Sequence, residues 1–427
     1  MAAAFVNRSR PPERPDDLGA TEVGAVRASL FDDMREERLA VPFRRVRRAD
    51  EVAAAAGLAV TRLEVRPRYL PGAHLRVLLA SRTTGRAYSS RRAASKPAFP
   101  VDFVGVEWQV PTFLDVLAAK RRIAPYLRPT PLYRYPALSE LVGTEVWVKH
   151  ENHQPVGAFK VRGGVNLVSQ LNDEERRSGV ITASTGNHGQ SISFAAGIFG
   201  VRAIVCVPEA ANPVKLASMQ GLGAEVVVHG KDFDEAREHC ERLAGEHGYR
   251  YIHSGNEPLL IAGVATETLE ILEAESEIDV VIVPIGGGSG AAGACLAAKS
   301  ISDSIEVIGV QSDAAPAAYL SWKSQSLAED RMETRAEGLA TRVAFELPQR
   351  ILWEQLDDFV LVGEHELERA VLHMIEGTRN LTELAGAAPL AAALRLRDRL
   401  AGKRVALVLS GGNISPEQLR EILLRDE

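Results

Sequence analysis

The chain has 427 residues, of which 46% are hydrophobic and 25% charged, and a formal net charge of -6. This is the composition of a globular protein with room for two or three domains. No apolar run reaches the roughly eighteen residues of a membrane span, and no signal segment follows Met1. The three cysteines, Cys206, Cys240 and Cys295, are widely spaced and odd in number, which argues against a disulfide framework and a zinc site. We therefore expect a soluble, cytoplasmic protein without a membrane partner.

Residues 1–108 differ in charge from the rest of the chain. They hold 18 Arg and 1 Lys against 13 Asp and Glu, so this part is net +6 and the remainder is net -12. We expect an Arg-rich, partly disordered extension with a helix over Ala49 to Ala59 and a strand over Ala59 to Val65. An arm that binds nucleic acid or protein is an alternative. The basic run Phe43 to Arg48 lacks interleaved aromatic residues and any nucleic-acid motif, so no nucleic-acid partner is expected.

From Thr112 onward, strand and helix patterns alternate. The predicted strands are short, mostly apolar runs at 145–149, 180–183, 203–207, 225–228, 279–284, 306–310 and 405–409. The predicted helices lie at 113–126, 190–199, 213–222, 291–299 and 416–424. This alternation predicts parallel sheets covered by helices. In such sheets ligands bind at the carboxyl ends of the strands.

Lys160 is the first residue with possible chemistry. It follows Phe159 and precedes the mostly apolar run Val165 to Val168. A lysine in such surroundings can be a desolvated amine that forms a Schiff base. The alternative is an ordinary solvated helix lysine, and this motif by itself leaves both interpretations open.

A turn rich in small polar residues, Ser184 to Gln190, follows the strand predicted at 180–183. It places hydroxyls, an amide and backbone N–H groups at a helix start, where carboxylates and phosphates bind. The alternative is simple N-capping by Ser184 or Asn187.

Two further turns follow predicted strands. The loop Gly286 to Gly290 can wrap an anion with several N–H donors. It lacks the endings of a nucleotide P-loop and of a dinucleotide fingerprint, so it indicates a smaller phosphate, with a tight turn as the alternative. The turn Ser410 to Asn413 places a neutral hydroxyl at the same sheet edge.

These four features, in this order, resemble the fold-type II pyridoxal-phosphate enzymes, the tryptophan-synthase-β-like family. Within it, the threonine/serine dehydratases and serine racemases are the most similar, over residues 111–425. The resemblance implies an α/β fold with two domains, each an open, mostly parallel twisted sheet covered by helices. The large domain that binds pyridoxal 5′-phosphate would comprise residues 109–181 and 258–427, and the small domain residues 182–257. It also implies an amino acid substrate and a homodimer.

The resemblance implies roles for particular residues. Lys160 would bind the cofactor as a Schiff base and remove the substrate Cα proton, and Thr185 is the candidate catalytic group on the opposite face. Phe159 would pack beside the ring and Asn187 would bond its 3′ oxygen. The other implied cofactor-binding residues are Gly286, Gly287, Gly288, Ser289, Gly290, Glu383 and Ser410. The implied substrate-binding residues are Ser184, Thr185, Asn187 and His188.

A serine opposite the pyridine nitrogen favours β-elimination, so the resemblance implies a threonine/serine dehydratase that releases a 2-oxo acid and ammonia. Serine racemases have a serine where Thr185 stands, which leaves racemase activity as an alternative beside 3-hydroxyaspartate dehydratase. A β-replacement synthase fits the Ser184-Thr185 turn less well. Gln311 and Ala317 stand where the family has metal-binding carboxylates, and Asp313 is the only carboxylate nearby. We therefore predict no metal requirement, with a weak site that uses Asp313 and carbonyl oxygens as the alternative.

Overall fold

The computed structural model describes residues 109–209 and 211–425, together with the backbone of 59–65 and 75–81. The chain forms two compact units, residues 1–102 and 103–427. In the first unit, β1 (Ala59–Val65) and β2 (Leu75–Ser81) pair in antiparallel orientation. The strand predicted over Ala59 to Val65 is thus confirmed. The helix predicted from Ala49 and the disorder expected in the extension lie outside the described residues.

The second unit contains two sheets. Its strands are, in chain order, β3 (Leu132–Arg134), β4 (Glu145–His150), β5 (Val180–Ala183), β6 (Ala203–Val207), β7 (Glu225–Val228), β8 (Arg250–Tyr251), β9 (Val280–Pro284), β10 (Glu306–Ser312), β11 (Asp358–Val362) and β12 (Arg404–Leu409). The larger sheet has the order β11-β10-β9-β12-β4-β3, and only β3 is antiparallel to its neighbour. The smaller sheet has the order β7-β6-β5-β8 and is parallel throughout.

Helices cover both sheets. They are α1 (Phe113–Ile123), α2 (Pro136–Val142), α3 (Val161–Val168), α4 (Asp173–Ser178), α5 (Asn187–Phe199), α6 (Pro213–Gly221), α7 (Phe233–His247), α8 (Pro258–Val264), α9 (Thr266–Ala274), α10 (Ser289–Ile301), α11 (Ala317–Ser324), α12 (Glu346–Gln355), α13 (Glu364–Thr378), α14 (Leu384–Arg395), α15 (Arg397–Leu400) and α16 (Pro416–Arg425). Short 3₁₀ turns lie at Glu151–His153 and Glu337–Leu339. None of the helices in the described ranges is long and apolar enough to cross a membrane.

The larger sheet is buried on both faces. Val280 and Ile282 of β9 pack in one core with α14, whereas Val281 and Val283 pack in another with α10. Successive side chains of a strand point to opposite faces, so a strand covered on both sides must be apolar throughout. The predicted fold class is therefore confirmed. The exact limits of the two domains within residues 109–427 stay a prediction.

The three polar turns all lie at carboxyl ends of strands. Ser184 follows β5, Gly286 follows β9 after Ile285, and Ser410 follows β12. Strands β9 and β12 are parallel neighbours, with Leu407 opposite Ile282. The glycine loop and the Ser410 turn therefore leave the larger sheet at the same edge, where a ligand can contact both.

Candidate active site

Lys160 lies immediately before α3 and reaches the glycine loop. Its Nζ donates hydrogen bonds to the Ser289 hydroxyl at 2.7 Å and to the Ser254 carbonyl at 3.3 Å. The amine lies 5.2 Å from the centroid of the Phe159 ring. Removal of water around the half-buried side chain lowers the pKa of Lys160 to about 8. The amine thus loses its proton more easily than a surface lysine, as a Schiff-base nucleophile requires.

Glycines let the start of α3 lie close to α5 and α8. A Cβ on Gly164 would be 2.3 Å from Ser191 Oγ, and one on Gly263 would be 2.7 Å from Gly163 Cα. Such distances leave no space for a larger residue. The Ser191 hydroxyl also donates to the Lys160 carbonyl at 2.7 Å. The backbone that carries Lys160 is therefore held by close helix contacts.

Arg162 of α3 is the centre of a buried ion-pair network. Arg162 has no exposed side-chain surface and donates two hydrogen bonds each to Glu151 and Glu270, all at 2.7 or 2.8 Å. Lys149 adds a bond to Glu270 at 2.6 Å, so two cations face two carboxylates. Glu267 is also buried, and its Oε2 has no hydrogen-bond partner among the described residues. Burial and the Glu151 charge raise the pKa of Glu267 well above its usual value, which favours its protonated form.

The loop Gly286 to Gly290 follows β9 and leads into α10. A Cβ on its first residue would lie 2.2 Å from the Gly338 carbonyl, and one on its second 2.1 Å from the Phe345 ring. The third residue has φ +86°, which favours glycine. Within the described parts of the chain, the N–H groups of the second to fourth residues have no acceptor. Such donors at a helix start are suited to a phosphate.

Ser410 is held against the segment that carries Lys160. Its carbonyl accepts a hydrogen bond from the Phe159 N–H at 3.0 Å. The Phe159 ring in turn packs on the glycine loop, since a Cβ on Gly290 would lie 3.1 Å from it. The structure thus brings together the aromatic ring, the glycine loop and the buried Ser410. All three were predicted to contact the cofactor.

Asn187 is oriented from both sides. Its Nδ2 donates to Glu383 Oε1 at 2.7 Å, and its Oδ1 accepts from Asn413 Nδ2 at 2.8 Å. Because Glu383 accepts and Asn413 donates, the Asn187 amide has a defined orientation, with Nδ2 toward Glu383 and Oδ1 toward Asn413. Burial raises the pKa of Glu383, while the Lys215 ammonium and the Asn187 hydrogen bond oppose that rise. Sequence reasoning missed Asn413, although it ends the Ser410 motif.

Ser184 begins the turn before α5. Its Oγ accepts from the N–H groups of Gly186 at 3.2 Å and Gly189 at 2.9 Å. The N-cap residue itself is Gly186, but Ser184 accepts from an N–H of the first helical turn, as in the capping alternative. This contact leaves the Ser184 hydroxyl proton free to be donated to another group. Capping and ligand binding by Ser184 are therefore compatible.

The His188 ring lies on the inner side of the same turn. Its Nε2 is 2.9 Å from Thr182 Oγ1, and the proton of that hydroxyl is donated to the Ile252 carbonyl at 2.8 Å. Thr182 must therefore accept, so Nε2 carries the hydrogen. Burial, with a contribution from the Lys160 charge, lowers the pKa of His188 to about 3. A neutral ring bound to Thr182 offers no positive charge to a carboxylate, and the predicted substrate role of His188 stays a prediction.

A cavity of about 690 Å³ opens beside Thr185. Its lining includes Asn212 to Val214 at the start of α6 and Glu337 from the second 3₁₀ turn. Lys215 of α6 forms an ion pair with Glu337, and a Cβ on Gly186 would lie 3.7 Å from Lys215 Nζ. Sequence reasoning missed this pair because its members are 122 residues apart and share no motif.

Two positions considered for a metal, Gln311 and Ala317, are buried in the structure. Gln311 Oε1 accepts from the Tyr319 N–H at 3.1 Å, and Ala317 is a buried residue at the start of α11. Across residues 109–209 and 211–425, no cluster of three or more His, Cys, Asp or Glu is placed to hold a metal ion. Metal independence itself stays a prediction.

The residues present fit pyridoxal phosphate. Lys160 would bind its aldehyde, and the N–H groups of Gly286 to Gly290 with the Ser289 hydroxyl would hold its phosphate. The glycine loop supplies the close backbone approach that a phosphate needs, since side chains there would collide with neighbouring atoms. Asn187 and Ser410 would supply polar groups for the ring.

Comparison with known proteins agrees with this fit. Residues 123–411 match the family described as pyridoxal-phosphate dependent enzyme. L-threonine ammonia-lyase of Thermotoga maritima is 37% identical over 315 residues, which cover 73% of this chain and 78% of that protein. L-threo-3-hydroxyaspartate ammonia-lyase of Saccharomyces cerevisiae is 35% identical over 315 residues, which cover 74% of this chain and 97% of that protein.

Solved structures give the same result. Serine racemase from Dictyostelium discoideum is 34% identical with a TM-score of 0.68, over 71% of this chain and 99% of that one. The processed form of threonine deaminase isoform 2 from Solanum lycopersicum is 30% identical with a TM-score of 0.69, over 73% of this chain and 91% of that one. The predictions of a fold-type II enzyme, of its pyridoxal phosphate cofactor and of the dehydratase and racemase group are confirmed. The chain belongs to the family of pyridoxal-phosphate-dependent enzymes.

Proposed function

We propose that this enzyme is a threonine/serine dehydratase, an ammonia-lyase that converts a β-hydroxy amino acid to a 2-oxo acid and ammonia. The observation that carries the proposal is the amine of Lys160, with its lowered pKa, bonded to Ser289 at the glycine loop and next to the Ser410 turn. The names of the relatives that are 35% and 37% identical, both ammonia-lyases, support it.

Bound pyridoxal phosphate supplies an electron sink for the bonds at the substrate Cα. In our proposal, Lys160 accepts the Cα proton at Nζ, which its lowered pKa makes possible at neutral to mildly alkaline pH. Ser410 would offer the ring nitrogen a neutral hydroxyl, which favours elimination of the β-hydroxyl. The hydroxyl leaves as water, and its proton is equivalent to the one that Lys160 removes from Cα. Asn187 is fixed by Glu383 and Asn413 and would hydrogen-bond the ring of the bound cofactor.

The proposed substrate site is the turn at the start of α5. The Ser184 hydroxyl and the backbone N–H groups of this turn would bind the carboxylate, as helix starts bind anions. Thr185 faces the neighbouring cavity, from which the side chain of the substrate would enter. His188 would contribute its backbone, because its ring is bonded to Thr182.

Two alternatives have support of their own. The Thr185 hydroxyl beside the cavity could exchange a proton on the second face of the substrate, and one structural relative is a serine racemase. Another relative acts on L-threo-3-hydroxyaspartate. Incubation with L-serine followed by chiral analysis separates racemase from dehydratase, because D-serine as the main product would overturn our assignment.

A panel of L-threonine, L-serine and L-threo-3-hydroxyaspartate, scored by release of the 2-oxo acid, tests the proposal. Release from none of them would overturn it. The purified enzyme should also show a visible Schiff-base absorbance band that borohydride abolishes. Lys160→Ala should lose this band, whereas Lys120→Ala, a change at an exposed ion pair with Glu273, should keep it.

We also propose a homodimer in the cytoplasm with the domain limits given above. The support for a reducing compartment is that Cys206, Cys240 and Cys295 are all buried and free. The support for a dimer is that most oligomeric soluble enzymes are closed, symmetric dimers. Analytical ultracentrifugation of the holoenzyme tests the dimer, and a monomer at micromolar concentration would refute it.

A further inference from the structure

Lys215 and Glu337 are unequal partners. The Lys215 side chain is only 10% exposed, whereas 49% of the Glu337 side chain is exposed. Glu337 can return to water at little cost, because an exposed carboxylate is well solvated. Lys215 cannot remain unpaired, because a buried ammonium without a partner is strongly unfavourable. Lys215 therefore needs an anion at this place, but that anion need not be Glu337.

Lys215 lies at the place where a substrate anion would arrive. A Cβ on Gly186 would be 3.7 Å from Lys215 Nζ and 4.0 Å from Glu337 Oε2. Gly186 lies between Thr185, which lines the large cavity, and Asn187. The pair thus lies over the turn at the start of α5, on the side open to the cavity.

The other lysine of the site already has partners. Lys160 is bonded to Ser289 and Ser254 and is the amine that we propose binds the cofactor. A carboxylate at the start of α5 meets N–H groups and a hydroxyl, which carry only partial charges. The ammonium of Lys215 lies next to Gly186 of the turn and carries a full positive charge, so it can stabilise a carboxylate there much more than those dipoles can.

We propose that Lys215 is a substrate-binding residue and that Glu337 pairs with it only until a substrate carboxylate takes its place. Glu337 then competes with the substrate for the same ammonium. Removing the competitor strengthens carboxylate binding, whereas removing the ammonium weakens it. A purely structural ion pair predicts a different pattern, since both changes would then act in the same direction. The inference rests on the proposed function, and it concerns binding rather than turnover.

The experiment measures carboxylate binding to the holoenzyme by ligand-observed NMR. Propionate is one probe and succinate the other, because neither has an amine or a hydroxyl that could react. Glu337→Gln should bind the probe about twofold to fivefold more tightly, the range that corresponds to loss of a partly exposed ion pair. Lys215→Met should bind it at least about tenfold more weakly, as expected for loss of a buried charge partner. Lys215→Arg should restore most of the binding.

The controls separate this effect from general damage. Lys120→Met and Glu273→Gln change in the same way an exposed ion pair between α1 and α9, and they should leave probe binding unchanged. Each variant must keep the visible absorbance of the bound cofactor. If Lys215→Met affects succinate alone, Lys215 binds a side-chain carboxylate of a dicarboxylic substrate; if it affects both probes, Lys215 binds the carboxylate that every amino acid carries.

Weaker binding in both Glu337→Gln and Lys215→Met, or no change in either, would overturn the inference. These results do not depend on which reaction the enzyme catalyses, since the probes are not turned over. A lack of 2-oxo acid release from all hydroxy amino acids would refute the proposed function and leave the binding result in place.

Discussion

Replacement of Arg162 by methionine should destabilise the enzyme strongly. The guanidinium makes four short hydrogen bonds to two carboxylates and is completely buried. Methionine would leave Glu151 and Glu270 facing Lys149 alone. Loss of one partner of a buried ion pair costs about 3–5 kcal/mol. Since domains unfold at about 5–15 kcal/mol, Arg162→Met should lose a large part of the total stability.

A matched control is Arg202→Met. Arg202 also makes a two-bond contact with one carboxylate, Glu225, at 2.7 Å, but both side chains are about half exposed. An exposed pair contributes only about 0.2–1 kcal/mol. Urea unfolding of the three holoproteins, followed by circular dichroism, measures the difference. Arg162→Met should also release the cofactor at lower urea concentration, because Arg162 lies only two residues after Lys160 and its N–H donates to the Phe159 carbonyl.

The effect of Arg162→Met should depend on pH. Burial alone would raise the pKa of Glu151, and Arg162 reverses this and holds it below the usual value. Without Arg162, Glu151 in the folded variant binds a proton more readily. The difference in the free energy of unfolding between the natural enzyme and the variant should therefore become smaller as pH falls toward about 4. If Arg162→Met and Arg202→Met lower the free energy of unfolding equally, burial does not decide how much an ion pair contributes, and our reasoning is refuted.

Three further predictions concern single groups of the site. Phe345→Ala removes the ring that fills the space beside Gly255 and Gly287. We expect a loss of stability smaller than the about 3–5 kcal/mol of a fully buried phenylalanine, and faster loss of the cofactor on dialysis. Unchanged retention of the cofactor would contradict this prediction. The pKa of Glu267 is raised, so its contribution to stability is complete at low pH and decreases as pH rises from about 4.3. Glu267→Gln does not titrate, so its free energy of unfolding relative to that of the natural enzyme should increase from acidic to alkaline pH. A difference that stays constant with pH would count against this prediction. In cofactor-free protein, Lys160 should rebind pyridoxal phosphate faster as pH rises through about 8, because the neutral amine reacts; a flat profile there would show that its amine does not limit the rate.

The regular elements of the parallel sheets could be predicted well from the sequence. The predicted bounds of β5, β6 and β7 agree with the structure at every residue. Short apolar runs bounded by polar turns are a local signal, because parallel strands are buried on both faces. The polar turns after the strands could also be predicted from local sequence. Their common position followed from the parallel arrangement, because the carboxyl ends of parallel strands meet at one edge of a sheet.

Other elements could not be predicted. Strand β11 was missed, because a short apolar run is compatible with a buried strand or a buried helix segment. The helix predicted to reach Tyr126 ends at Ile123, followed by a turn. Helix ends depend on which backbone groups find partners, and hydrophobic periodicity does not contain that information.

The amino acid sequence by itself determined the residue types that make the chemistry possible: a lysine beside an aromatic ring, a glycine loop, and small polar residues after apolar strands. Only the tertiary structure decided which of these residues meet. It paired Asn187 with Asn413, turned the His188 ring to Thr182, and placed the Lys215 ammonium over the turn. Hydrogen bonds and ion pairs act over a few ångströms. Asn187 and Asn413 are 226 residues apart and Lys215 and Glu337 are 122 apart, so packing of the sheets and helices had to bring them together first. Thr182 and His188 are only six residues apart, and for them the fold of the turn decided the contact.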